Sequence, residues 1–352
     1  EASRHILFPH KFTPWRKSAV RGQRRGGPFI STEERVDGRA IRLHQDRGGG
    51  GRPFARSATD LPRTVLSAAN AAENPTALLA RREMQSWCLL QLEPSMLRQP
   101  DELTAPTHLG PNGAHLPATL YRLAKTPTET NGKIADKPAA RVYSQIANRL
   151  AGLIDDVHDL WIEHDERREL LTLYIKDRQG TALPARVLSD GTLRFLALAV
   201  FERAPEGQQL LCLEEPENGI HPGRIPAMLN LLRDIATDVE EPIGFDNPLR
   251  QVIVNTHSPA VVSQVDDDSL LVAELKEDRR DGHDFKRVCF SCLPATWRTK
   301  DQARTSIVPK GKLLVYLNPP LLENGQPPNP KSRRVIDRPD MQPYLPLPGI
   351  KA

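Results

Sequence analysis

The feature that most constrains this chain is the alternation between residues 186 and 275. The turn "LSDGT" leads into the apolar run "LRFLALAV". Then come the strand-like "QLLCLEE", a helical segment over 226–235 and the strand-like "RQVIVNTHS". A short helix over 259–265 and a third apolar run, "SLLVAEL", complete the series. Continuous apolar strands alternating with helices predict a mainly parallel sheet covered on both faces. Polar chemistry in such sheets gathers at the carboxyl ends of the strands. Here Glu214 and Glu215 end one strand, and Thr256, His257 and Ser258 follow another.

Upstream the pattern is mixed. Residues 76–92 ("TALLARREMQSWCLLQL") carry helical signals, and "HLPATLYRLAK" at 115–125 reads as a short helix. Val142, Ile146, Leu150, Leu153, Ile154, Val157 and Leu160 recur at spacings of three and four, predicting an amphipathic helix over 138–161. "ELLTLYIKDRQGTALPARVLS" predicts a hairpin turning at 177–180. A strand is expected at 39–44, ahead of a glycine run. Three segments result: a basic Gly/Arg-rich segment at 1–60, the remnant of an N-terminal β-lobe; a helical and hairpin subdomain at 61–185; and a lobe at 186–352 ending in a Pro-rich tail.

Charge and cysteines bound the function classes. The net charge of +4 conceals 13 Lys/Arg against 5 Asp/Glu in residues 1–56, and 35 against 39 in the remainder. A basic start suits a nucleic-acid backbone or, equally, a solvated arm. No apolar run is long enough to span a bilayer, so no membrane partner and a cytoplasmic location are expected. Cys289 and Cys292 form a single C-x-x-C without the second pair that a structural zinc site uses, and they read as two small residues in the strand-like "VCFSCL".

Three polar elements carry chemistry, and each has an ordinary reading too. Adjacent carboxylates at Glu214 and Glu215 are a Walker B pair or a solvated acidic loop. In the first case Glu214 holds Mg²⁺ and Glu215 polarises the water that attacks a γ-phosphate. His257 is a phosphate-sensing histidine or one satisfied by a backbone carbonyl. Ser189, Asp190 or Thr192 caps a helix with Gly191 supplying the turn, and the same helix N-terminus offers amides to an anion.

The order and spacing of the three elements bring them together. From Ser189 to Glu214 is 25 residues, and from Glu215 to His257 is 42. With these motifs the sequence resembles the ATP-binding-cassette ATPase heads, in the RecF/SMC/Rad50-like branch grouped with prokaryotic AAA-family ATPases. The stretches "SWCLLQLEPSMLRQPD" and "HLGPNGAHLPATLYRL" share the resemblance, which spans roughly residues 60 to 350. It implies a P-loop NTPase fold of ABC type: an α/β lobe with a mainly parallel sheet flanked by helices, preceded by a helical and β-hairpin subdomain. It implies ATP and Mg²⁺ as cofactors. Ser189, Asp190, Gly191 and Thr192 match the signature turn, Glu214 and Glu215 the Walker B pair, and His257 the H-loop. Residues 217–221, with Glu217 and Asn218, fall at the D-loop. The family sandwiches nucleotide between two heads, so Ser189 is expected to meet a γ-phosphate held by a second head. DNA and an effector nuclease subunit are further expected partners, in DNA repair or anti-phage defence.

The sequence departs from that pattern in three places. Asp190 stands where a glycine is usual, and an acidic side chain there opposes an anion unless it points away. Glu214 replaces the usual Asp. No G-x-x-x-x-G-K-[ST] occurs in the chain. The first residue is Glu1, so a strand and P-loop preceding it are expected, the alternative being a non-hydrolysing module that completes a partner's site. The Q-loop has only a weak match, Gln91 after an apolar run. "VDDDS" at 265–269 offers carboxylates to a nuclease of OLD type, but it reads more simply as a helix-terminating acidic loop.

Overall fold

The computed structural model describes residues 28–317, apart from 37, 47–53, 60–62, 127–128, 131–132, 135–137, 155, 204–209, 245, 281 and 301–305. The chain falls into two compact units, one ending at Gln264 and one starting at Val265.

The first unit opens with an antiparallel meander of β1 (Ile30–Arg35), β2 (Gly38–Leu43) and β3 (Phe54–Ser57). β2 is the strand expected at 39–44; the adjoining glycine run lies outside the described residues. Helix α1 (Pro75–Ser86) begins with proline at its first position, where the missing N–H costs nothing. The helical signal over 76–92 does not persist as helix. Trp87 is extended (φ −61°, ψ 128°), and Cys88–Leu90 form strand β4, paired in parallel inside a sheet. A short apolar run looks alike in a buried helix and a buried strand, and pairing decides between them. Helix α2 (Pro94–Leu97) and strand β5 (Asp101–Glu102) precede α3 (Leu116–Lys125), the helix expected at 115–125. Asp101 is buried and anchors α3, its carboxylate accepting from the Ala118 amide at 2.9 Å.

After a small hairpin of β6 (Glu129–Thr130) and β7 (Lys133–Ile134) comes α4 (Pro138–Ala151). The long helix expected to reach residue 161 stops ten residues early. Gly152 follows it, and Val157–Asp165 form strand β8, antiparallel to β9 (Leu170–Asp177). The misleading signal has a cause. The register shifts between Val157 and Asp159, so a bulge keeps Val157 and Leu160 both buried at a spacing of three. Strand β10 (Ala182–Pro184) completes the expected hairpin, turning through Gly180 at φ +92°. Asp177 stabilises that turn, its carboxylate accepting from the Thr181 amide at 2.7 Å.

Helix α5 (Asp190–Arg203) is largely apolar and buried from Gly191 onward except at Arg194, Glu202 and Arg203. That pattern belongs to a central helix, and α2, α3, α4 and α6 (Ile225–Ile235) surround it. Arg149 of α4 makes a fork to Glu202 of α5, at 3.1 and 2.6 Å, and also reaches Asp234 of α6 at 2.7 Å. One guanidinium thus ties three helices together.

Beside them lies a parallel sheet ordered β12–β11–β4, with β11 (Leu210–Glu214) at its centre and β12 (Gln251–Asn255) at one side. The parallel core expected from the sequence is present. Leu211 and Leu213 are buried, with Cys88 and Leu90 in register beside them. On the other face Leu89, Cys212 and Ile253 form a row in which Leu89 is 52% and Ile253 55% exposed among the described residues. Period-two alternation survives inside runs that are apolar throughout, so sequence alone does not distinguish the two faces. Helix α7 (Pro259–Val262) closes the unit, within the short helix expected after His257.

The second unit holds an antiparallel hairpin, β13 (Leu271–Arg280) with β14 (His283–Cys292). Strand β15 (Ser306–Ile307) pairs in parallel with β14, and helix α8 (Lys310–Leu317) follows. The run "SLLVAEL" is therefore a hairpin strand and no continuation of the parallel sheet. Its partner "VCFSCL" lies close behind in sequence, and the antiparallel pairing forms locally. Among the described residues no helix is long and apolar enough to cross a membrane.

Candidate functional site

The site is built from turns at the ends of α5, β11 and β12. At the first, Ser189 caps α5: its hydroxyl oxygen accepts from the Thr192 amide at 3.2 Å and lies 2.7 Å from the Thr192 hydroxyl. Its carbonyl accepts from the Leu193 amide at 3.1 Å. Ser189 and Asp190 are exposed, while Gly191 and Thr192 are buried. The helix cap and the outward-facing turn are therefore one structure. Asp190, the acidic departure, is neutralised: Arg98 donates to its carboxylate at 2.6 Å and to the Leu188 carbonyl at 2.8 Å.

At the end of β11, Glu214 is exposed, and the Gln91 side-chain amide donates to its carboxylate at 3.2 Å. Gln91, the faint Q-loop match, is thus adjacent to the first of the two paired carboxylates. Gln91 is held in place by its own backbone, whose N–H donates to the Pro111 carbonyl at 2.9 Å; the Glu93 N–H does the same to Asn112. These bonds join the two upstream stretches that shared the resemblance. An exposed carboxylate beside a side-chain amide is a hard oxygen donor set of the kind Mg²⁺ takes when phosphates and water supply its other ligands. Among the described residues no three His, Cys, Asp or Glu side chains converge as an all-protein cage.

Glu215 occupies the left-handed region at φ +43°, unusual for a residue with a side chain. Three bonds hold it there. Its amide donates to the Asn255 carbonyl at 2.8 Å, its carbonyl accepts from the Asn218 amide at 3.1 Å, and its carboxylate accepts from the Asn218 side chain at 2.7 Å. Asn218 thereby orients Glu215. His257 lies two residues beyond Asn255 and is exposed. Parallel pairing of Glu214 with Asn255 brings the acidic turn and the histidine loop to the same edge of the sheet.

The acidic turn also touches the turn at the start of α5. A Cβ on Gly191 would stand 2.3 Å from the Gly219 carbonyl oxygen, and Gly219 has φ +80°. Only glycine permits that approach. Glu217 is 8% exposed, its carboxylate accepting from the Thr256 hydroxyl. It faces the interior. The contacts that sequence reading missed are Arg98 with Asp190, Gly191 with Gly219, and Thr256 with Glu217. They join residues far apart in the chain and leave no spacing signal.

In the second unit the acidic run expected to end a helix has structural partners. Asp267 pairs with Lys310, and Asp268 accepts from the Trp297 amide at 3.1 Å.

Residues 96–263 match the model of the AAA_21 family, "AAA domain, putative AbiEii toxin, Type IV TA system". The match is to an ATPase-type domain, in line with the class that the motifs resembled. No curated protein matches the chain. Among solved structures, the chain is similar to an Smc head domain with a coiled coil and joint from Pyrococcus yayanosii. The identity is 14%, over 48% of this chain and 31% of that one, with a TM-score of 0.30. A second structure comes from work on ATP-driven dimerization and DNA stimulated activation of SMC ATPases. It is 14% identical over 47% of this chain and 95% of that one, with a TM-score of 0.29. A third is the Smc head of Pyrococcus furiosus bound to the C-terminal domain of ScpA, 16% identical over 44% and 36%, with a TM-score of 0.27. The chain thus spans about a third of the first of these. At such scores the fold assignment rests on the match over 96–263.

Proposed function

We propose that this protein is an ATP-binding and ATP-hydrolysing head of the RecF/SMC-like type, which closes on a second head around ATP. One observation carries the reading: the Glu215 amide bonded to Asn255 at 2.8 Å, which brings the acidic turn and the His257 loop to one sheet edge. In this reading Glu214, with Gln91, holds Mg²⁺. When bound, the ion offsets charge on the phosphates. Glu215, oriented by Asn218, accepts a proton from the attacking water, and His257 donates to the γ-phosphate. Ser189, Gly191 and Thr192 present the start of α5 to a phosphate held by the other head. Arg98 keeps Asp190 from opposing that anion.

The pathway is part of the proposal. DNA is the proposed ligand of the basic residues 1–56, and an effector nuclease subunit the proposed partner, in DNA repair or anti-phage defence within the cytoplasm. The family description, which names a toxin–antitoxin system, supports defence. A second reading is favoured by one sequence fact, the lack of G-x-x-x-x-G-K-[ST] in these 352 residues. It makes the chain a non-hydrolysing module that completes a partner's site.

Phosphate release decides between them. With a P-loop supplied, in cis or by a partner, Glu215→Gln is expected to bind ATP yet hydrolyse it about 100-fold more slowly or worse. The 352-residue chain alone is expected to show little or no turnover. Unchanged turnover in Glu215→Gln overturns the assignment of Glu215. ATP binding without hydrolysis, even with a P-loop present, favours the second reading.

A further inference from the structure

Glu217 lies in the turn that carries Glu215, Asn218 and Gly219, yet, like Pro216 before it, it is buried. Its Oε1 accepts from the Thr256 hydroxyl, and its Oε2 is buried without a hydrogen-bond partner among the described residues. The Thr256 hydroxyl is committed at both ends, since it also accepts from the Ser258 amide at 3.0 Å. These two bonds bracket His257. Burial alternates along the chain here: Thr256 and Ser258 are partly buried, and His257 between them is exposed. Successive side chains of an extended segment point to opposite sides, so anchoring Thr256 inward directs His257 outward.

A carboxylate oxygen left unpaired in the interior is unfavourable, and a turn needing only a surface contact has no use for it. We propose that Glu217 is a positioning residue. Through the Thr256 hydroxyl, it locks the turn bearing Glu215 to the loop bearing His257, so that the water-activating and phosphate-sensing groups keep one relative geometry. The lock extends to the signature turn through the contact of Gly219 with Gly191. The inference deepens the ATPase reading and rests on it for its catalytic consequence; the coupling itself is a property of this chain alone.

Two arms test it. In the first, histidine side chains of the full chain are isotope-labelled and observed by NMR. Thr256→Val, which removes the hydroxyl at nearly constant volume, and Glu217→Gln are each expected to shift or broaden the His257 ring signals. The His115 signals, fixed by Asp101 at 3.2 Å, should stay in place. Thr256→Ser restores the wild-type His257 spectrum and serves as the folded control. In the second arm, ATP turnover is measured with Mg²⁺ and a P-loop supplied. Both disruptive variants are expected to lower kcat about 10- to 100-fold with KM changed by less than about twofold, and the double variant is no worse than either single. A His257 spectrum unmoved by Thr256→Val overturns the proposal, as do multiplicative losses in the double variant. A wild-type head that fails to hydrolyse ATP overturns the ATPase reading instead, and the NMR arm still decides the coupling.

Discussion

At the scale of single residues, the site depends on conformations and contacts few side chains tolerate. Glu215 sits at φ +43°, and Gly191 meets a backbone carbonyl at a distance no Cβ allows. Gly191→Ala therefore forces the start of α5 away from the acidic turn. We expect it to cost about 2–3 kcal/mol, read as a lower urea midpoint with an unchanged slope. A midpoint within error of wild type would show that the two turns do not touch in solution. Arg98 has a smaller role. It is about a quarter exposed and Asp190 more than half, so Arg98→Met should cost about 1 kcal/mol, most of it from the Leu188 carbonyl it also serves. Ser189, Glu214, Glu215 and His257 were legible in the sequence because each ends a recognisable element. Arg98 was not, since nothing in "PSMLRQPD" marks an arginine that will meet an aspartate 92 positions later.

At the scale of elements, α4, α5 and α6 are held both by apolar packing and by the Arg149 fork. Breaking a part-buried pair strands its partners, so Arg149→Met should cost about 2 kcal/mol by chemical denaturation. Leu196→Ala, at a fully buried position of α5, should cost about 3 kcal/mol by the same measurement. Strand β4 adds a pH dependence. Burial in the sheet raises the Cys88 thiol above its ordinary range, with a smaller contribution from Cys212. The folded state then holds this proton more tightly than the unfolded chain, so its contribution is full below the unfolded thiol pKa and is lost as pH rises through the folded one. Tyr143, also raised by burial, acts in the same direction. Unfolding midpoints should fall as pH rises above the ordinary thiol value of about 8.5, with Tyr143 adding to the fall only above about pH 10, and Cys88→Ala should flatten the first part of it. Element types were only partly legible for related reasons. The bulge at Val157 gave a strand helical spacing, and the short apolar "CLL" became a strand only through its pairing with β11.

At the scale of the whole molecule, the proposed cycle predicts association. With a P-loop supplied, Glu215→Gln should accumulate as a dimer in ATP and Mg²⁺ and return to monomer on exchange into ADP, as read by light scattering after size exclusion. A species that stays monomeric throughout would argue against closure on a second head. The sequence by itself determined the α/β alternation, the parallel core and the residues ending its strands, because apolar period and strand-end polarity are local properties of the chain. Only the tertiary structure decided which face of the sheet buries Leu211 and Leu213, that Glu217 turns inward to Thr256, and that the turn at Gly191 rests on Gly219. Those are contacts between segments distant in sequence, and local patterning carries no record of which partner a buried group will find.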